Sequence, residues 1–151
     1  MFQVNEEDIS PQYEEFRQKI KQGESFAITG LTTFLRLFLL SKIKKYSSIK
    51  ILFITSTEQN ALKYQSDLKS ICDLDSEIFP YQDISLYETV SLNLYNYAKQ
   101  IEILQNQPDI IFCPVKTLLE KFPNKEFFNK NKIQIKKGDI LDQQKLSKKL
   151  I

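Results

Sequence analysis

Residues 49–55 read Ile-Lys-Ile-Leu-Phe-Ile-Thr, and residues 109–113 read Asp-Ile-Ile-Phe-Cys. Neither run alternates apolar with polar side chains, as a strand with one wet face would. Uninterrupted apolar runs of this length suit strands of a parallel sheet covered on both faces. The segments between them have helical spacing. After Thr57, Ala61, Tyr64, Leu68 and Ile71 recur every three or four residues. Val90, Leu94, Tyr97, Ile101 and Leu104 do the same. Glu77-Ile78-Phe79, stopped by Pro80, reads as a short strand between the two.

Working outward, Ser25-Phe26-Ala27-Ile28-Thr29-Gly30 reads as a further strand ending in glycine, followed by a heavily apolar helix over 33–46. Ser10-Pro11 opens an N-terminal helix striped by Ile9, Tyr13, Phe16 and Ile20 and stopped at Gly23. The pattern is a helix followed by β-α-β-α-β-α-β-α, the last helix spanning 116–122. Such alternation predicts a parallel α/β sheet with helices on both faces and right-handed crossovers. After Pro123 the pattern changes. Lys132 to Lys136 alternates like a half-exposed strand, Gly138-Asp139 is a turn, and Asp142 caps a last helix. This divides the chain into an N-terminal helix (1–23), an α/β subdomain (24–123) and the opening of a second small α/β module (124–151).

Composition narrows the chemistry. The 151 residues are 42% apolar and 26% charged, enough for one globular domain and the start of another. There is no histidine, which excludes Ser-His-Asp and Cys-His catalysis, His-ligated zinc and a histidine pH switch. The two cysteines, Cys72 and Cys113, lie in apolar contexts and read as buried free thiols. The acidic first ten residues do not read as a secretory signal, and the apolar stretch Leu35 to Ile43 is too short and too interrupted for a bilayer. A cytoplasmic protein with no membrane partner is expected. The net charge of +2 is uneven: residues 124–151 carry eight lysines and three acids, against thirteen basic and sixteen acidic residues before them. Such a tail reads first as a solvated face and second as a nucleic-acid contact.

The turn after the first expected strand is where an α/β sheet ordinarily binds a ligand. Here it runs Gly30-Leu31-Thr32-Thr33-Phe34-Leu35-Arg36-Leu37. A phosphate-binding loop has the form G-x-x-x-x-G-K-[ST]. Gly30 keeps the first glycine, but Leu35, Arg36 and Leu37 replace the second glycine, the lysine and the Mg²⁺-binding hydroxyl. Gly30, Thr32, Thr33 and Arg36 therefore form a degenerate phosphate loop that has lost its chemistry. Asp83, Glu88 and Asp109 do not have the spacing of a Mg²⁺ site. No catalytic residue, metal site or cofactor is expected for this chain.

Four segments together carry a family resemblance: FAITGLTTFLR (26–36), ILFITSTEQNALKYQSDL (51–68), IFPYQDISLYETVS (78–91) and DIIFCPVKTLLEKFPNKEFF (109–128), the last followed by GDILDQQKLSKKL (138–150). In order and spacing the chain resembles the N-terminal, UvrB-like end of bacterial transcription-repair coupling factors (Mfd). Leu86 and Leu92 stand where that family has prolines, and Gln100 stands where it has arginine. The resemblance implies a degenerate RecA-like fold over 24–123 and, from about residue 132, a UvrA-binding module cut short at residue 151. It also implies a parent that displaces stalled RNA polymerase by ATP-driven movement along DNA and recruits UvrA, with ATP and Mg²⁺ bound by motor domains elsewhere. The expected role is that of a non-catalytic scaffold with an autoinhibitory surface. The competing readings are a UvrB-type nucleotide-binding ATPase and a small DNA-binding module.

Ile133, Ile135, Leu141, Leu146 and Leu150 make too small an apolar set to form a core of their own. Amides over 132–151 are expected to exchange with solvent faster than those of the sheet, as hydrogen-exchange mass spectrometry would read. Equal protection in the two regions would show that this chain completes the tail.

Overall fold

The computed structural model describes residues 11–82, 94–133, 135–138, 140 and 142–150. Chain contacts divide it into two compact units, Met1–Leu119 and Glu120–Ile151.

In the first unit, helices α1 (Pro11–Gln22), α2 (Thr33–Tyr46), α3 (Glu58–Cys72) and α4 (Leu94–Asn106) accompany strands β1 (Ile51–Thr55), β2 (Glu77–Ile78) and β3 (Ile110–Pro114). The strands form one parallel sheet in the order β1-β3-β2. Phe53 lies opposite Phe112 in the register, and Ile54 opposite Cys113. The fold class is therefore α/β with a small parallel sheet, as the two apolar runs require.

The local signals work as their chemistry predicts. Gly23, at φ +69°, ends α1: its N–H donates to the Ile20 carbonyl, and the next N–H donates to that of Lys19. Only a residue at ease in the left-handed region closes a helix this way. The Thr32 and Thr57 hydroxyls cap α2 and α3 by accepting from the Leu35 and Asn60 N–H groups. Asp73, at φ 50°, ends α3.

The core lies between the sheet and helices α2 and α3. Leu37 and Leu40 of α2, Ala61 and Leu68 of α3, and Ile110 and Phe112 of β3 are buried together. Phe53 joins this core from β1, with its ring centroid 5.3 Å from that of Phe112 and 5.2 Å from that of Tyr64. The connection from β1 through α3 to β2 passes over β3. The return from β2 through α4 to β3 runs the opposite way, so right-handedness places α4 on the other face. Ile110, Phe112 and Cys113 of β3 are all buried.

Four expectations for this unit need correction. Residues 25–29 do not form a strand, and among the described residues none of them takes part in a backbone hydrogen bond. Phe26 and Ile28 remain exposed there, and among the described residues β1 pairs with β3 alone. β1 is covered on one face only. Leu52 and Ile54, on the face away from α3, are each 53% exposed. The expected stripe of α4 is rotated: Gln100 and Ile103 are its buried residues, while Leu94, Tyr97 and Leu104 are exposed. Val90 lies outside the described residues. Residues 115–119 form a 3-10 turn in place of the helix expected over 116–122.

The second unit holds helices α5 (Lys125–Asn131) and α6 (Gln143–Leu150). Asn124 caps α5 by accepting from the Phe127 N–H at 2.8 Å, and Asp142 accepts from the Gln144 N–H at 3.0 Å. The strand expected over 132–136 is not formed at residues 132, 133, 135 and 136, and Gln134 lies outside the described residues. A lone strand has no ladder to join, and among the described residues this unit supplies no partner strand.

Phe112 has no exposed surface, whereas Leu52 is half exposed. Phe112→Ala is expected to lower unfolding stability by about 3–5 kcal/mol, and Leu52→Ser by less than about 0.5 kcal/mol. Phe53, only partly buried, is expected to fall between them. Urea denaturation of the three variants measures the order.

Candidate functional site

The loop before α2 is built around its own helix start. Gly30 adopts φ +76°, a conformation that strains residues bearing a Cβ. Thr32 is extended (φ −67°, ψ 162°), so its hydroxyl accepts from the Leu35 N–H at 3.3 Å and its carbonyl accepts from the Arg36 N–H at 3.0 Å. Helix-start N–H groups are those a phosphate would take. Here the loop's own threonine takes one of them, that of Leu35, with its hydroxyl, while the Arg36 bond is the first regular bond of the helix. Thr33 is the first residue of α2 and is exposed. The Arg36 guanidinium reaches across to α3, donating to the Tyr64 hydroxyl at 3.5 Å. Leu37, where a phosphate loop would place its metal-binding hydroxyl, has no exposed surface and belongs to the core. The structure thus brings Gly30, Thr32, Thr33 and Arg36 together around one helix start. The strand expected to lead into it is not there.

The acidic residues do not gather at this loop. Asp83 and Glu88 lie outside the described residues. Asp109 pairs with Lys44 at 2.8 Å and so ties the C-terminal end of α2 to the N-terminal end of β3. Hydrogen bonding from the Lys44 ammonium, with its charge as the lesser cause, holds the Asp109 carboxyl below the usual carboxylate value. Lys50 donates to the Gln107 carbonyl at the same end of the sheet. Among the described residues no group of three or more His, Cys, Asp or Glu side chains is placed to hold a metal ion. Cys72 and Cys113 are free thiols, the second buried.

A polar cluster that the sequence reading did not single out holds the exit of β2. Gln100 Nε2 donates to the Pro80 carbonyl at 2.8 Å, and Asn96 Nδ2 donates to the Tyr81 carbonyl at 3.0 Å. Thr117 Oγ1, from the turn after β3, donates to the Phe79 carbonyl at 3.4 Å. Three consecutive carbonyls, which β2 is too short to pair, are satisfied by side chains. Gln100 and Thr117 are buried. An unpaired buried carbonyl costs about 1–3 kcal/mol, which explains why α4 turns Gln100 inward and leaves Tyr97 outside. The signal in the sequence was Pro80: proline stops the ladder and leaves the carbonyls around it to be satisfied by other donors.

Three parallel strands, helical crossovers and a self-capped loop define a small α/β module without a catalytic constellation among its described residues. The chain is 29% identical over 140 residues to the transcription-repair-coupling factor of Borreliella burgdorferi. The match covers 89% of this chain and 12% of that protein. The chain is therefore related to the transcription-repair coupling factors, as the four segments implied. No family description matches the chain. No solved structure matches it either. No helix among the described residues is long and apolar enough to cross a membrane.

Because its carboxyl value is lowered, Asp109 contributes stability that is present above the unfolded carboxylate value of about 3.9. That contribution is lost as pH falls through the lower folded value. Lys44→Met is expected to reduce urea stability at pH 6, with the difference from the parent chain shrinking toward pH 2. A constant difference across that range would assign the loss to packing instead.

Proposed function

We propose that this chain is a non-catalytic interaction part of a transcription-repair coupling factor acting in transcription-coupled nucleotide excision repair. Residues 24–123 are its degenerate, RecA-like subdomain, and residues 124–151 belong to a UvrA-contacting module. ATP-driven movement on DNA and the displacement of RNA polymerase are assigned to other parts of such a protein, together with ATP and Mg²⁺. The place of action is the cytoplasm.

The observation that carries the non-catalytic reading is Leu37. A leucine at the metal-hydroxyl position offers no oxygen to Mg²⁺, and its place in the core fixes α2 with that side turned inward. Thr32 reinforces this by occupying the Leu35 helix-start donor. The relationship to a coupling factor supplies the pathway.

Each lost charge-assisted contact typically costs about 1.5–3 kcal/mol. Two such losses lower affinity by about two to four powers of ten, taking a micromolar loop to millimolar or weaker. Titration calorimetry with Mg-ATP is expected to give no saturable binding below about 1 mM. A micromolar isotherm abolished by Arg36→Ala would replace the scaffold reading with the ATPase one.

A further inference from the structure

Helices α1 and α2 and the segment between them form the walls of a groove of about 480 Å³. Tyr13 and Phe16 line it from α1, Phe26 and Ile28 from the segment, and Phe38 and Leu39 from α2. The rings stand at angles to one another. Phe16 lies edge-on to Phe26, centroids 5.6 Å apart, and tilted to Tyr13 at 6.0 Å. Phe26, Ile28 and Leu35, which also lines the groove, are exposed although large and apolar. Glu15 and Lys19 line it too, and pair with each other at 2.7 Å. The hydrogen bond between them holds the Glu15 carboxyl below its usual value and the Lys19 ammonium above its own, so both stay charged near neutral pH and cancel. Burial raises the Tyr13 hydroxyl above its usual value, which keeps it neutral.

From this lining we infer that the groove between α1 and α2 binds an uncharged aromatic small molecule. Its volume lies within the range of about 300–1,000 Å³ that small-molecule sites occupy, and its walls are of the apolar and aromatic kind that such sites have. Water is held poorly by a concavity with so few polar partners, and apolar molecules fill it instead. Aromatic rings prefer edge-on and offset contacts with centroids about 4.5–7 Å apart. The ligand's ring system extends the arrangement that Phe16 and Phe26 already make, and its far end rests on Phe38 and Leu39. A charged ligand is a poorer fit. It would leave water for a wall whose ammonium and carboxylate already satisfy each other. A lipid surface is a poorer fit as well, because the apolar residues line a concavity rather than a projecting face. The inference does not depend on the coupling-factor reading.

The test uses the full chain and two fluorescent probes of one skeleton: N-phenyl-1-naphthylamine, which is uncharged, and its sulfonate, 1-anilinonaphthalene-8-sulfonate. The uncharged probe is expected to bind saturably at one site, and the sulfonate about tenfold more weakly or worse. A probe that binds the native state should also raise the urea midpoint. Ala27 lines the groove and is exposed, so Ala27→Trp fills it from a surface position. Circular dichroism should be unchanged in this variant while probe affinity falls about tenfold or more. Ile28→Ser, a smaller change at an exposed position, should weaken binding in the same direction. Ile71→Ser, on α3 and outside this groove, should leave it unchanged. Proton NOEs from the bound probe should reach Phe26 and Leu39. Equal or stronger binding of the sulfonate, binding without saturation, a lowered urea midpoint, or indifference to both Ala27→Trp and Ile28→Ser would overturn the proposal. So would a loss of affinity in Ile71→Ser, or NOEs confined to residues elsewhere. Concentration-dependent self-association abolished by Ala27→Trp, without probe binding, would overturn it in favour of a second copy of this chain.

Discussion

The contact on which the sheet depends is the packing of Phe112 against Phe53 and Tyr64. It joins β3 to its neighbour β1 and to the helix that crosses both, with centroids 5.3 Å and 6.1 Å from Phe112. A three-strand sheet with a two-residue edge strand has few ladder hydrogen bonds to hold it. Buried aromatic area, worth more per residue than any other side chain, does most of the holding. Leu37 and Leu40 then bring α2 onto the same core, which positions the loop before it.

That placement explains the state of the loop. A helix start aimed at solvent ordinarily offers its N–H groups to an anion. Here Thr32 satisfies one of those donors with its hydroxyl, and the next turn is pulled inward by Leu37. The same helix presents a cationic and apolar outer side because its core-facing positions are few: only Leu37 and Leu40 are fully buried. Apolar residues beyond that stripe are left to line a groove.

The two ends of the sheet are secured differently. At the N-terminal end, charge does the work, through Lys44 and Asp109. At the exit of β2, neutral side chains of α4 and of the turn after β3 satisfy the carbonyls of Phe79, Pro80 and Tyr81. The first arrangement responds to pH and salt. The second is partly buried and is insensitive to both.

The sequence by itself determined the strands read over 49–55 and 109–113, the helix over 33–46, a cap at Thr57 or Ser56 and one at Asp142, the stop at Gly23, and the relationship to coupling factors. These rest on local chemistry: unbroken apolar runs, hydroxyls before helices, a glycine where φ is positive. Replacement of the phosphate-loop residues was also legible, because it is a matter of which residues are present. Only the tertiary structure decided which faces are covered. Ser25–Gly30 has the pattern of a strand, yet residues 25–29 do not pair with the open outer edge of β1, which a local pattern cannot dictate. Leu52 and Ile54 read as core, but they lie on the face of β1 away from α3 and are half exposed. Gln100 stood out in the sequence only as a replacement for a family arginine, and is instead the buried donor that helps orient α4, because the need for a donor arises from a carbonyl twenty residues away.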